Sequence, residues 1–134
     1  MSDRTLVLSG DRKLVISSLD TSVEYTLHRP FVVLLPAFDV WERQQVEAKM
    51  SAFMDLGCIE FCCVGPQAEQ LHDSLDGIIE DRGKLELITT SDTDYSEACE
   101  DFLFAAGGMS CTLLALISSH SELSAVLCDM AKEA

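Results

Sequence analysis

Polar residues that could do chemistry follow three apolar runs of the chain. Each run predicts a buried strand, and the residues that come just after them are Asp39, Asp92, Asp94 and His120. In an open α/β sheet, ligands bind outside the carboxyl ends of the strands. Carboxylates there could hold a hard cation such as Mg²⁺, and a nearby imidazole could transfer protons. These four residues are the candidate site of one alternative function, a small metal- or His-dependent enzyme at this rim.

Helix capping also explains why polar residues follow the predicted strands. Asp39, Asp94 and Ser119 each have a Glu three positions further on, the spacing of the capping box. A cap of this kind accepts hydrogen bonds from free amides in the first turn and stabilises a helix by ~1 kcal/mol. We therefore expect these three residues to cap helices, and the sequence assigns no metal ligand and no catalytic residue.

The cysteines offer one further arrangement for catalysis. Of the six, Cys62 and Cys63 lie near the end of a predicted strand, and His120 follows another strand. Adjacent strand residues point to opposite faces, so at most one of the two thiols could meet that imidazole. Their apolar surroundings are typical of small buried thiols. We expect packed, reduced cysteines and no nucleophile.

Cofactor motifs are missing from the sequence. Neither GxxxxGK[ST] nor GxGxxG occurs after any predicted strand, and no Lys or Arg stands at the predicted rim to meet a phosphate. We therefore expect no nucleotide and no other cofactor.

Strand and helix patterns alternate over residues 30–134. Short apolar runs predict strands at Phe31–Pro36, Cys58–Val64, Leu85–Thr90 and Cys111–Ile117. Amphipathic spacing predicts helices at Val40–Gly57, from Gly65-Pro66 to Gly83, at Asp94–Ala106 and at Glu122–Lys132. Four βα units in series imply a parallel sheet with helices on both faces.

The first 29 residues follow another pattern. Thr5–Leu8 and Lys13–Ser17 flank Ser9-Gly-Asp-Arg12, which predicts a hairpin, and Val23–Leu27 could add a short strand. We expect one α/β domain over residues 1–134: a three-layer sandwich of Rossmann-like or flavodoxin-like architecture, with residues 1–29 as an antiparallel hairpin extension.

Charge is distributed unevenly along the chain. The formal net charge is −14; residues 1–50 hold 7 acids and 6 bases, whereas residues 51–134 hold 16 acids and 3 bases. The densest stretch, 69–101, has 11 acids against Arg82 and Lys84. Nucleic acid is a poor partner for such a chain, because little here neutralises phosphates.

An acidic surface of this kind is either a solvated face that keeps the protein soluble or a landing site for a basic protein partner. Our leading hypothesis is a small binding module, comparable to inhibitor- or immunity-type proteins in charge and size alone, which steers a basic partner onto the acidic stretch. Trp41 is the expected apolar anchor. Reversing Asp73, Asp76 and Glu80 to Lys should weaken such binding. The full set of expected contact residues is Asp73, Asp76, Glu80, Asp81, Glu97, Glu100, Asp101 and Trp41.

Two further expectations concern location and assembly. The N-terminal segment has no apolar signal-peptide core and no run approaches a membrane span, so we expect a cytoplasmic protein without membrane contact. A homodimer or larger assembly, joined through an edge of the N-terminal hairpin, is a second alternative function.

Overall fold

The computed structural model describes residues 4–19, 30–84, 86–106 and 112–134. Six strands and five helices alternate along these residues. The strands are β1 (Arg4–Val7), β2 (Lys13–Ile16), β3 (Phe31–Pro36), β4 (Cys58–Val64), β5 (Ile88–Asp92) and β6 (Thr112–Ala115). The helices are α1 (Val40–Glu47), α2 (Met50–Leu56), α3 (Ala68–Asp81), α4 (Tyr95–Glu100) and α5 (Ser121–Ala131).

All six strands belong to one sheet, in the order β1-β2-β6-β3-β4-β5. Every neighbouring pair is parallel except β1 with β2, which is antiparallel. The predicted α/β class, with a mainly parallel sheet and an antiparallel N-terminal hairpin, is confirmed. Each of the last four strands is followed by a helix, so the four βα units are present as expected.

The two faces of the sheet are covered by different helices. Because strand side chains alternate between faces, Leu34 and Cys62 pack with α4 and α5 in one core. Their neighbours Leu35 and Cys63 pack with α1, α2 and α3 in the other core. Burial on both faces explains why β3 reads as a continuous apolar run, since all six of its residues are buried.

The long helix predicted over Val40–Gly57 is two helices. The backbone N–H of Lys49 bonds the carbonyl of Val46, three residues back, at 2.9 Å, and this tighter turn separates α1 from α2. The apolar stripe survives the break, because Val46, Met50 and Phe53 are all fully buried. Periodicity therefore located the buried face correctly but could not detect the local change in hydrogen bonding.

Two further differences in element boundaries can be traced to single hydrogen bonds. The strand predicted at Leu85–Thr90 is observed at Ile88–Asp92, because Leu87 N–H bonds the Lys84 carbonyl in a turn after α3. The helix predicted to reach Ala106 becomes a π-helical turn at Asp101–Ala105, where Ala106 N–H bonds the Asp101 carbonyl. The possible strand Val23–Leu27 and the start of the strand predicted at Cys111 lie outside the described residues.

Gly65 links β4 to α3 at a point of close backbone approach. Its φ is +121°, and a Cβ built on it would lie 2.6 Å from the backbone oxygen of Ala37. That same oxygen accepts a hydrogen bond from Gln67 N–H at 2.8 Å, so it is held in place. The turn at the end of β4 therefore requires glycine.

We expect Gly65→Ala to lower the free energy of unfolding by about 1–3 kcal/mol, because alanine is strained at this φ. The matched control is Gly77→Ala in α3, where an added Cβ meets nothing within 4 Å. That substitution should stabilise by about 0.5–1 kcal/mol, the usual gain in a helix interior. Urea unfolding of the two variants would contradict this account if both were equally stable.

Candidate functional site

The order of strands creates a crevice between β3 and β6. These two parallel strands are neighbours, with Leu34 paired to Ala115. The chain leaves β3 towards α1 in one helical layer and leaves β6 towards α5 in the other. Ligands of open α/β sheets bind at such a switch point, outside the carboxyl ends of the strands.

A carboxylate–imidazole pair joins the two sides of this crevice. Glu42, in the first turn of α1, and His120, directly before α5, approach to 2.6 Å between Oε2 and Nε2. The other oxygen of Glu42 accepts a hydrogen bond from the backbone N–H of Phe38 at 2.9 Å. The side chains of Glu42 and His120 are only 11% and 21% exposed. Both carboxylate oxygens are therefore engaged, and the carboxylate is held rigidly.

Aromatic rings surround the imidazole. The Phe38 ring stacks on His120 with 4.0 Å between centroids and an interplanar angle of 18°. Tyr95, from the start of α4, lies 5.6 Å from Phe38 in a tilted arrangement. The pair thus stands at the end of a small aromatic cluster, in contact with both helical layers.

Two clefts open on either side of the Glu42–His120 pair. The ring cleft, of about 330 Å³, is lined by Phe38, Tyr95, Ser119, His120, Ser121, Glu122 and Leu123. The tryptophan cleft, of about 460 Å³, is lined by Ser18, Leu19, Trp41, Glu42, Gln45, Lys49 and Ser119. Glu42 lines the tryptophan cleft and His120 lines the ring cleft, so their hydrogen bond crosses the wall between the two clefts.

The four residues predicted at the rim make different contacts in the structure. Asp39 caps α1 by accepting from Glu42 N–H at 2.8 Å, and Asp94 caps α4 by accepting from Glu97 N–H at 2.9 Å. Asp92 interacts with Asp101, and His120 with Glu42. No group of three His, Cys, Asp or Glu side chains suited to a metal occurs among the described residues.

The prediction for Ser119 is wrong. The residue that precedes α5 is His120, whose side chain makes no capping hydrogen bond and whose Nε2 is bonded to Glu42. Sequence reasoning also missed Glu42, Phe38 and Tyr95 as neighbours of His120. Glu42 fitted a capping pattern, and no local signal indicates a contact between residues 78 positions apart.

Burial makes the strand cysteines poor nucleophiles. Cys62 and Cys63 are 2% and 1% exposed and lie in different cores. Desolvation raises the pKa of Cys62 to about 12 and also raises the pKa of Cys63. Because the thiolate is the reactive form, neither residue suits catalysis at neutral pH.

A second candidate surface lies at the opposite end of the sheet from the hairpin. Strand β5 is an edge strand, with α3 on one face of the sheet and α4 on the other. The seven acids of the predicted contact set lie on these helices and the π-helical turn, and all are exposed. We call this surface, with β5 at its centre, the acidic edge. Trp41 is 65% exposed but stands at the tryptophan cleft.

The backbone of β5 has one unpaired side. The carbonyl of Asp92 bonds Gly65 N–H at 3.2 Å, so Asp92 directs its polar groups towards β4. Because backbone direction alternates along a strand, Thr89 and Ser91 direct their N–H and C=O groups outward. No other strand of the described part of the chain pairs with this outer side.

Side chains connect β5 firmly to the acidic helix α3. The Thr89 hydroxyl donates to Asp76 at 2.7 Å and also lies 3.0 Å from His72 Nε2. His72 Nδ1 is in turn 3.4 Å from Asp76. These contacts fix α3 beside the edge strand, so Asp76 has a structural role as well as a charge.

Asp92 shows the electrostatic cost of concentrating acids here. Burial raises its pKa to about 6, and a hydrogen bond with Asp101 and the charges of Asp101, Glu97 and Asp94 act in the same direction. The folded state therefore favours the protonated form of this carboxyl group.

In comparisons with known proteins, no family model, no curated protein and no solved structure matches the chain. None of the helices in the described ranges has the length and apolar character needed to cross a bilayer. Any functional interpretation therefore rests on the two surfaces themselves.

The raised pKa of Asp92 predicts a pH dependence of stability. A carboxyl group whose pKa is raised on folding stabilises the protein below its unfolded pKa of about 4, and this contribution is lost as the pH rises through about 6. Asp92→Asn stays neutral and should be more stable than the wild type at pH about 8.

Thermal melts at pH about 4 and about 8 measure this difference, with Asp73→Asn as a control that removes a charge from exposed α3. A lower melting temperature of Asp92→Asn than of wild type at the higher pH would contradict the prediction.

Proposed function

We propose that this protein is a small binding module that captures a basic protein partner at the acidic edge. One observation carries the proposal: the unpaired side of β5 lies between two helices whose exposed side chains are acidic. An edge strand offers main-chain hydrogen bonds, and the charges around it select the partner.

Long-range electrostatics supports the choice of a basic partner. Residues 51–134 carry a net charge of −13, and seven of their 16 acids lie on α3 and α4. A concentrated negative surface accelerates encounters with positive proteins and makes the association sensitive to salt. It also repels a second copy of the same edge.

The edge strand itself supports recognition by strand addition. Natural proteins protect edge strands with Lys, Pro or bulges, and β5, with the sequence Ile-Thr-Thr-Ser-Asp, has none of these. Ile88 at its start is 55% exposed. An extended basic segment can add to such an edge through the outward groups of Thr89 and Ser91, a common mode of peptide recognition.

The charge contribution can be tested with a double reversal, Glu80→Lys with Glu100→Lys. This pair places one change on each acidic helix and leaves Asp76, with its bond to Thr89, intact. Asp129→Lys on α5 with Glu133→Lys, two residues after that helix, changes the net charge equally and is the control. Tagged proteins exposed to native lysate should retain one basic protein, released by high salt, which the double reversal loses and the control keeps. Equal retention by both variants contradicts the proposal.

Strand addition can be tested on the same partner with Ser91→Pro. Proline removes the outward N–H of Ser91, which makes no bond to β4, so the fold should survive. We expect at least about tenfold weaker binding, since hydrogen bonds and close approach are lost together. Ser91→Ala keeps the N–H and should bind like wild type. Equal binding of the proline variant would leave charge alone as the basis of recognition.

Two alternatives remain separate proposals. A homo-oligomer is favoured by β1, the other edge strand, where Val7 is 71% exposed; a solution mass that stays monomeric across concentrations would contradict it. A small enzyme at the rim is favoured by the Glu42–His120 pair, although Asp39 and Asp94 serve as caps there.

A further inference from the structure

We infer that the ring cleft binds a small planar ring compound that carries N–H donors, such as an amidine or a protonated heteroaromatic ring. This inference rests on the rim site and is independent of the acidic edge. The volume of about 330 Å³ lies at the lower end for ligand pockets, so the ligand is small.

The walls of the cleft favour a flat ligand. Phe38 and His120 are nearly parallel, and Tyr95 stands at 59° to Phe38. A planar group that packs against such rings gains stacking, and a positive charge on it adds a cation–π attraction. The lining has no aliphatic residue except Leu123.

The polar groups of the cleft favour hydrogen-bond donors on the ligand. In the neutral tautomer that donates Nε2–H to Glu42, the Nδ1 atom of His120 is an acceptor. The lining adds the Glu122 carboxylate and the hydroxyls of Ser119 and Ser121, with no Lys or Arg. The amino end of α5 would attract an anion, but Glu122 in its first turn opposes this.

Glu42 acts as a positioning residue for this site. Its two oxygens are bonded to Phe38 N–H and to His120, so it fixes both the tautomer and the orientation of the imidazole. The buried pair also joins α1 to the start of α5. We therefore expect the acceptor Nδ1 to be preorganised before any ligand arrives.

Three probes separate shape from charge: benzamidine is planar and cationic, cyclohexylamine is cationic but not planar, and benzoate is planar and anionic. Titrations followed by amide NMR of the full chain should show saturable shifts at Phe38, Tyr95 and His120 with benzamidine. We expect cyclohexylamine and benzoate to bind at least about tenfold more weakly than benzamidine. Each of them lacks one good polar or stacking contact that benzamidine makes.

Two variants test whether benzamidine binds in the ring cleft. His120→Phe keeps a ring but removes the acceptor nitrogen, so benzamidine should bind about tenfold more weakly. Glu80→Lys with Glu100→Lys changes the acidic edge and should leave this binding unchanged. Intermolecular NOEs from benzamidine to Phe38 and Tyr95 in the wild type keep the test valid if His120→Phe does not fold.

The inference is overturned if benzamidine produces no saturable shift at Phe38, Tyr95 and His120, or if its shifts map instead to α3 and to Glu97 and Glu100. It is also overturned if benzoate binds as tightly as benzamidine, because the end of α5 would then dominate. None of these results bears on capture of a basic protein by the acidic edge, so the two proposals fail separately.

Discussion

The pairing of β3 with β6 is the constraint on which the rest of the structure depends. Both strands are buried on both faces, so each must be covered by a helix in each layer. The chain satisfies this by leaving the two strands towards opposite layers, which opens a crevice between their ends. Glu42 and His120 meet in that crevice because the helices that begin there start from opposite faces of the sheet.

Charge and packing are separated along the sheet. The central strands are almost entirely apolar, while the acids gather on the helices beside the edge strand β5. Burial is the main cause of the raised pKa of Asp92, and the charges of neighbouring acids add to it. Self-repulsion among these acids works against the compact state.

The sequence predicted the architecture well, because its strongest signals are local. Alternating apolar runs and helical stripes gave four βα units, and the Asp39 and Asp94 patterns gave real caps. The break at Lys49 and the shift of β5 depend on single hydrogen bonds that leave the apolar pattern unchanged. The Glu42–His120 contact could not be predicted from the sequence, because it depends on strand order. Strand order is set by long-range packing.

Glu42 has a favourable position in its own helix and also a contact with a residue far away in the sequence. Its position three residues after Asp39 suits the first turn of α1, where a carboxylate interacts favourably with the helix end. A residue used only in this way could stay in solvent, yet its side chain is 11% exposed and bonded to an imidazole. Burying a carboxylate is unfavourable unless partners compensate it. Capping can be achieved without that burial, so the position of Glu42 is best explained by what it does to His120.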